Sequence, residues 1–474
     1  MLVRNASRSR KWEVLSFPVL FSGAAMILAV LMGSVLGIFG PYIGVVIVGG
    51  MVMTSIIILR QDELAATIVI AVHLYVDWYL GLHLVAPLMV LGLLVIFYLT
   101  RTDRHPWREP RALWLWMLFL VLTIPPAIQG ARMVYDAASY YPSDILGAFL
   151  IFWLGMVIAR DNESVRRFCG LLSALGALLA LHTLVQSMTG IVLFGTSHYD
   201  ATLATTSDYL LSGAAGDAHR VGSFFVDPNW NGSFLGMMVF LPLGLFVESP
   251  SFFGKLLYLA EMLLVVLALL FTFSAGAWAA TAVGMMIFIV LVGRMSYRLL
   301  IPLLVGCAAV VLFVGFRAQV NILLQHATDP GELLLRNGAW QTAIRVMLAF
   351  PLTGVGLGYL NYQLRSDAFR VPAEFVLLSH PHNSYLEWGA MAGIPVLVVF
   401  LALLIFALWL ALRNWVQSEK GSRALLGGGI SAVVTLSVNS WSINGWTLPA
   451  LAMAGWLILG AVSSPLLRRG FENR

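Results

Sequence analysis

The stretch "SHPHNSYLEW" (residues 379–388) gathers His380, His382, Asn383 and Glu387 directly ahead of a long apolar run. An imidazole titrates near neutrality, so a histidine held beside a hydroxyl can take its proton as a general base. His382 is the candidate for that role, with Asn383 and Glu387 in support; Glu387 falls about one helical turn beyond Asn383. For His380 the plainer reading is a polar cap on a helix start. Metal binding fails on ligand count: no cysteine is near, no third histidine has suitable spacing, and the acids are scattered.

Two other stretches carry candidate chemistry. In "AHRVGSFFVDPNWNGSFLG" (218–236), Arg220 and Asp227 stand just before an apolar run. Asp-Pro-Asn is a turn and helix-start signal, so Asp227 and Asn229 read first as caps. The guanidinium of Arg220 can grip an oxyanion bidentately or simply snorkel beside a capped membrane helix. In "LLLRNGAWQTAIRVMLAFPLTGVGLGYL" (333–360), the pattern from Glu332 to Phe350 predicts a short amphipathic helix lying on a membrane surface. Trp340, Ile344 and Met347 would share one face, with Arg336 one turn from Trp340 and Arg345 near the next. Pro351 ends that helix, and Gly354, Gly356 and Gly358 make a flexible or tightly turned segment. No strand–turn–helix unit surrounds these glycines, so they do not form a dinucleotide site.

The elements that must position these groups are membrane helices. The chain has 474 residues, 60% hydrophobic and 11% charged, with a mean hydropathy of +0.88. Apolar runs long enough to cross a hydrocarbon layer of roughly 30 Å recur throughout. They predict spans at 16–39, 41–59, 63–80, 83–100, 111–129, 143–160, 166–189, 228–247, 255–273, 275–293, 298–317, 383–411, 424–440 and 445–464. The expected fold is therefore an all-α polytopic membrane protein with 12–14 transmembrane helices. The first run follows "MLVRNASRSRK" and suits a retained helix rather than a cleaved leader. Cys169 and Cys307 both fall within spans and suggest neither a disulfide framework nor a metal site.

Arg4, Arg8, Arg10 and Lys11 place the N-terminus in the cytoplasm, and alternation places the C-terminus there too. The loops then assigned to that side hold 21 of the 28 lysines and arginines. Positive-inside bias thus accounts for the pI of 9.3, and no nucleic-acid partner is needed. Two long loops fall on the extracytoplasmic side, 190–227 and the larger 318–382, which would contain short helices. The seven basic residues on that side (Arg132, Arg220, Arg317, Arg336, Arg345, Arg365 and Arg370) are all arginine, the better fork for phosphate oxygens. No fixed-period repeat occurs, so residues 1–474 read as one integral membrane domain.

Taken in order, these pieces resemble the O-antigen ligase and polymerase family. The pieces are Arg220 to Asn229, Thr-x-Ser in "TFSAGAW" (272–278), Arg336 to Gly358, and "HNSYL" (382–386) with Gly393 beyond. The resemblance covers 218–411. Two positions depart from it: Ala275 stands where the family often has arginine, and Met391 and Ala392 stand where an acid commonly precedes the glycine. A cation missing at 275 would have to come from elsewhere, such as Arg132 or Arg317.

The resemblance implies a metal-independent, inverting-type glycosyltransferase in the bacterial inner membrane, active on its extracytoplasmic face and needing no cofactor. The donor would be a glycan on undecaprenyl diphosphate, and the acceptor a sugar hydroxyl on another glycan or lipid-linked glycan. Arg220, Arg336 and Arg345 would bind the diphosphate and His382 would be catalytic. Asp227, Trp340, Asn383 and Glu387 would support them. Surface or exopolysaccharide assembly is the expected setting, with a chain-length regulator as a candidate partner. The span count inclines the expectation toward polymerase over ligase. A lipid-linked glycan transporter is the alternative of another class, though repeat symmetry and charged or broken midplane helices are missing.

Overall fold

A computed structural model describes residues 61–75, 84–100, 110–133, 140–190, 210–213, 216–292, 295–419 and 421–467. The expected spans at 16–39 and 41–59, the basic N-terminal segment and the tail beyond 467 lie outside these residues. The chain divides into two compact units, Met1–Val69 and Ile70–Arg474. Of the first unit only residues 61–69 are described, within or next to α1.

The described helices are α1 (Asp62–Val72), α2 (Val85–Thr100), α3 (Pro110–Met133), α4 (Gly147–Ile158, entered through a π-turn at Tyr141–Leu146) and α5 (Asn162–Thr189). After a two-stranded antiparallel hairpin, β1 (Leu210–Gly213) and β2 (Gly216–His219), come α6 (Pro228–Met238), α7 (Phe240–Glu248), α8 (Phe252–Phe271), α9 (Ala275–Leu291) and α10 (Met295–Gly315). Then follow α11 (Arg317–Ala327), α12 (Pro330–Ala349), α13 (Tyr359–Ser366), α14 (Ser384–Ala392), α15 (Ile394–Gln417), α16 (Arg423–Asn439) and α17 (Pro449–Val462). Among the described residues six helical runs are long and apolar enough to cross a membrane: Arg111–Met133, Tyr141–Ile158, Asn162–Thr189, Pro228–Glu248, Phe252–Phe271 and Ile394–Gln417. The protein is an all-α polytopic membrane protein, and these runs lie where the hydropathy placed spans.

The outer faces explain why the sequence needs a bilayer. On α2, Leu88, Leu91, Val95 and Leu99 form one stripe at helical spacing, all exposed; α15 repeats this with Val398, Ile405, Leu412 and Val416. In water such stripes would cost roughly 25 cal/mol per Å². In hydrocarbon they cost nothing, and helix association must come from close packing instead. At the seam of α4 and α17, Gly155 lies against the Leu457–Ala461 backbone and Gly460 against Phe152. Trp116, Phe152, Phe400, Trp446 and Trp456 interlock beside that seam, with ring centroids 4.7–6.3 Å apart.

Two sets of helix ends come together. At one end the Glu248 carboxylate accepts the Ala424 N–H at 3.1 Å, Trp415 Nε1 donates to Leu291 O at 2.9 Å, and Asn414 bridges Val462 O and Ser464 O. At the other end Arg220, the Thr272–Ser274 turn, Asn383 and the 440–446 turn converge. Segments assigned by charge to opposite membrane faces therefore separate onto opposite ends of the bundle.

One expectation needs correcting. The run 383–411 is not one helix. It breaks at Gly393 (φ 93°) into the nine-residue α14 and the long α15. Helix ends buried in an apolar setting need partners for their carbonyls, and the glycine-rich turn supplies them. Val355 N donates to Ala390 O and Gly356 N to Met391 O, both at 2.9 Å, while Ile394 N donates to Pro351 O at 2.8 Å. Gly356 (φ 98°) can make this approach because a Cβ there would meet Asn361 Nδ2 and Gly130 N at 2.8 Å. On α12 the buried face is Gly338, Ala339, Thr342, Ala343 and Val346, and Ile344, on the side expected to meet a membrane surface, is 40% exposed. The inward stripe consists of small residues because the helix packs close to neighbouring backbone, with Gly338 against Ala373–Glu374.

Gly393→Ala is expected to destabilise the protein by about 1–3 kcal/mol, since it forces an L side chain into positive φ and onto the Leu352 carbonyl. Gly170→Ala, in mid-helix with open space around its Cβ, is expected to be neutral or stabilising. Thermal unfolding of the two variants in detergent reads the contrast.

Candidate functional site

The site is assembled from helix starts and turns. Asn383 caps α14: its Oδ1 accepts from Tyr385 N at 3.0 Å and Leu386 N at 3.1 Å. The start of α14 is stitched to the 440–446 turn, because Ser384 N donates to Ser440 O and Ile443 O while Trp446 N donates to Ser384 Oγ at 2.9 Å. His382 therefore leaves a fixed platform. Its own φ is +50°, rare for a residue with a side chain.

Asp227 caps α6 in the same way, accepting from Asn229 N at 2.6 Å. The cap reading and the site reading thus hold together, since Arg220 is packed at the same helix start. Arg220 is 7% exposed. Its Nη2 donates to Asn229 Oδ1 at 2.7 Å and its Nε to Thr272 O at 3.2 Å. Thr272 and Ser274 are the Thr-x-Ser element, folded into the tight link between α8 and α9, with Phe273 at φ +49°. Ala275, where the resemblance expects arginine, packs with Trp278 against Phe273, Ile322 and Leu323 of α11. The position is filled by an apolar contact, and the cation on this turn is Arg220. Arg132 lines a cleft with Gln129 and Arg365 instead.

Arg336 is the common neighbour. Its charge acts on Asp227, His326 and His382, and it also pairs loosely with Glu332 at 4.0 Å. Arg220 acts on Asp227 and His326 as well. Arg220, Asp227, His326, Arg336, His380 and His382 thus share one electrostatic neighbourhood. Burial first, then His380 and Arg336, hold His382 well below the usual histidine range. Burial lowers His326 likewise, with Arg220 adding to it. For Asp227 burial outweighs the two arginines and the backbone donors, and its carboxyl is raised. The neighbourhood carries an excess of fixed positive charge around neutral imidazoles, which suits an incoming anion.

Three predicted residues lie differently. Arg345 is exposed at the flank of the buried face of α12. Trp340 is half-buried, with its Nε1 buried and without a hydrogen-bond partner. Glu387, 1% exposed, lines a partly open cavity of about 40 Å³ with Asp144, Tyr140, Tyr359 and Trp446. No arginine is among the lining residues, so Glu387 stands apart from the arginines. Arg345→Ala is accordingly expected to leave turnover within about twofold of wild type, since exposed side chains seldom contribute more; an activity assay checks it.

Sequence reading missed His326, Trp230, Tyr359 and Asn444. Asn444, fully buried in the turn between α16 and α17, accepts from Trp230 Nε1 at 2.7 Å and donates to Tyr359 Oη at 3.0 Å. It ties the Asp227 helix to the glycine-rich turn. The only signal was a polar run, "NSWSING", between two apolar segments. Among the described residues no group of three His, Cys, Asp or Glu has the arrangement of a metal site.

Residues 260–401 match the family model described as O-antigen ligase. The match supports the O-antigen ligase/polymerase family, and with it a glycosyltransferase role for this multi-pass membrane protein. It takes in Thr272, Arg336 and His382 and stops short of Arg220 and Asp227, which reach the site through the fold. No curated protein matches the chain.

Proposed function

We propose that this protein moves a glycan from undecaprenyl diphosphate to a sugar hydroxyl on the extracytoplasmic face of the bacterial inner membrane, lengthening a polysaccharide on its lipid carrier. One observation carries this reading: Arg220, Arg336 and His382 converge at one end of an apolar bundle. A lipid-borne diphosphate is the kind of anion that two such guanidinium forks can hold through charge-assisted hydrogen bonds.

In the proposed reaction the acceptor oxygen attacks the anomeric carbon in a single inverting displacement. The sugar–phosphate C–O bond breaks, and its electron pair leaves with the diphosphate. Arg220 and Arg336 meet the charge as it develops, with donors fixed beforehand so that little reorganisation is needed. The acceptor's proton passes to His382, which burial keeps neutral and able to accept it. Asp227 and Asn383 hold the helix starts from which these side chains reach. All of the activation resides in the donor, so the chemistry asks for no nucleotide, metal ion or cofactor.

A second reading, transfer of the finished glycan to lipid A-core or another acceptor, is favoured by the description of the matching family. Both use the same donor. Purified protein in lipid, given undecaprenyl-diphosphate-linked repeat units alone, separates them. A ladder of longer lipid-linked chains supports the polymerase. Transfer only after a lipid A-core acceptor is added supports the ligase. Neither product, with both substrates present, overturns the glycosyltransferase reading and leaves transport of the lipid-linked glycan.

A further inference from the structure

The backbone at His382 is held in a conformation that side chains disfavour, and the structure shows what holds it. Pro381, just before it, has no N–H to give. The His382 N–H donates to Nδ1 of His380 at 3.2 Å. The two rings lie 4.2 Å apart between centroids, tilted by 54°. On its other side His380 rests on Tyr359, at 5.5 Å between centroids, and Tyr359 is held by Asn444. His380 is 8% exposed. It is the buried link between the Asn444–Tyr359 strut and the residue proposed to take the proton.

We infer that His380 is a positioning residue, whose Nδ1 fixes the His382 backbone and so aims the second imidazole at the acceptor. The inference rests on the proposed role of His382 and adds to it a division of labour within the histidine pair. Nδ1 is occupied as an acceptor, so the neutral ring carries its proton on Nε2. That tautomer cannot take a proton from His382 without first releasing the backbone it holds. A relay through His380 is therefore blocked by the same bond that does the positioning. Burial also pushes His380 down to about 4, so no second cation forms beside His382 near neutrality.

The choice of variant tests this atom by atom. An asparagine at 380 can place its Oδ1 near the position of Nδ1, a glutamine reaches only as far as Nε2, and phenylalanine fills the volume without an acceptor. In the full-length protein in lipid, His380→Asn is expected to keep most of the turnover. His380→Gln and His380→Phe are expected to lose about a hundredfold in kcat, the order of effect for a misplaced catalytic group. The donor KM should stay unchanged in all three, because the arginines are untouched.

The second readout needs no activity: amide exchange at His382. Protection in wild type and His380→Asn, with fast exchange in His380→Gln and His380→Phe, supports the inference. Protection that survives in His380→Phe overturns it. So does an equal loss of kcat in His380→Asn and His380→Gln while the asparagine variant stays protected, since that pattern marks a relay. If wild type shows no transfer, the exchange pattern still decides whether His380 holds His382, and the failure falls on the proposed reaction alone.

Discussion

His382→Ala is expected to lower kcat by roughly a thousandfold, within the range for loss of a positioned general base. The variant should still fold, because Asn383 keeps its cap and Ser384 its bonds to Ser440 and Ile443. Removing a residue from positive φ relieves no strain here, as alanine inherits the same backbone. Donor KM should change little, which separates loss of chemistry from loss of binding. The wild-type pH profile carries a sign. Burial and Arg336 disfavour imidazolium, so His382 stays neutral below the 6.5 of an ordinary histidine. The acid limb of kcat/KM, which reports free enzyme, should therefore fall below pH 6.5. The limb of kcat should sit at higher pH, because the proposed diphosphate donor, once bound, would stabilise the imidazolium. A kcat limb at or below that of kcat/KM would mean that His382 does not face the anion.

Arg220→Ala is expected to do two kinds of damage. It removes a cation from the proposed leaving-group site, worth about a hundredfold or more in kcat for one preorganised donor. It also strands the Thr272 carbonyl and Asn229 Oδ1, both of which now accept from the guanidinium. Leaving a buried acceptor unsatisfied costs about 1–3 kcal/mol, so the unfolding temperature should fall as well. Arg220→Lys discriminates between the two. Lysine keeps the charge as a point but lacks the fork that spans Thr272 and Asn229. If charge alone matters, lysine restores turnover; if the fork matters, kcat and stability stay low together. Measuring kcat and the thermal midpoint on the same preparations decides it.

The membrane fold was legible because hydrocarbon imposes a length and a composition that few other environments demand. Spans at 111–129, 143–160, 166–189 and 228–247 needed only apolar runs and turn residues to be seen. The break at Gly393 was not legible. Nothing in a hydropathy trace distinguishes one long helix from a short one abutting another, and the break depends on a backbone contact with Leu352 some forty residues away in sequence. Arg336 and Arg345 show the same limit on one helix. Both looked equally suited to an anion and both flank the small-residue face of α12, and only the packing around each separates them, leaving Arg336 partly covered and Arg345 exposed. The Asp227 cap was legible because an Asp-Pro-Asn turn leaves a local signature, and the fold shows that cap. Asn444 leaves none, since an amide in a short polar turn acquires its role from what the fold brings to both of its ends.

The stitching of α14 has a consequence for the order in which the protein becomes able to act. Its N-terminal end is held by Ser440, Ile443 and Trp446, and its C-terminal end by Val355 and Gly356. A nascent chain that has released Arg220, Arg336 and His382 from the ribosome but not yet the 440–446 turn therefore holds every proposed reacting side chain and no platform for them. Competence arrives with the turn between α16 and α17, after all of those side chains have been made. A partly made chain beside a pool of activated lipid-linked sugar would stay inert until that turn docks.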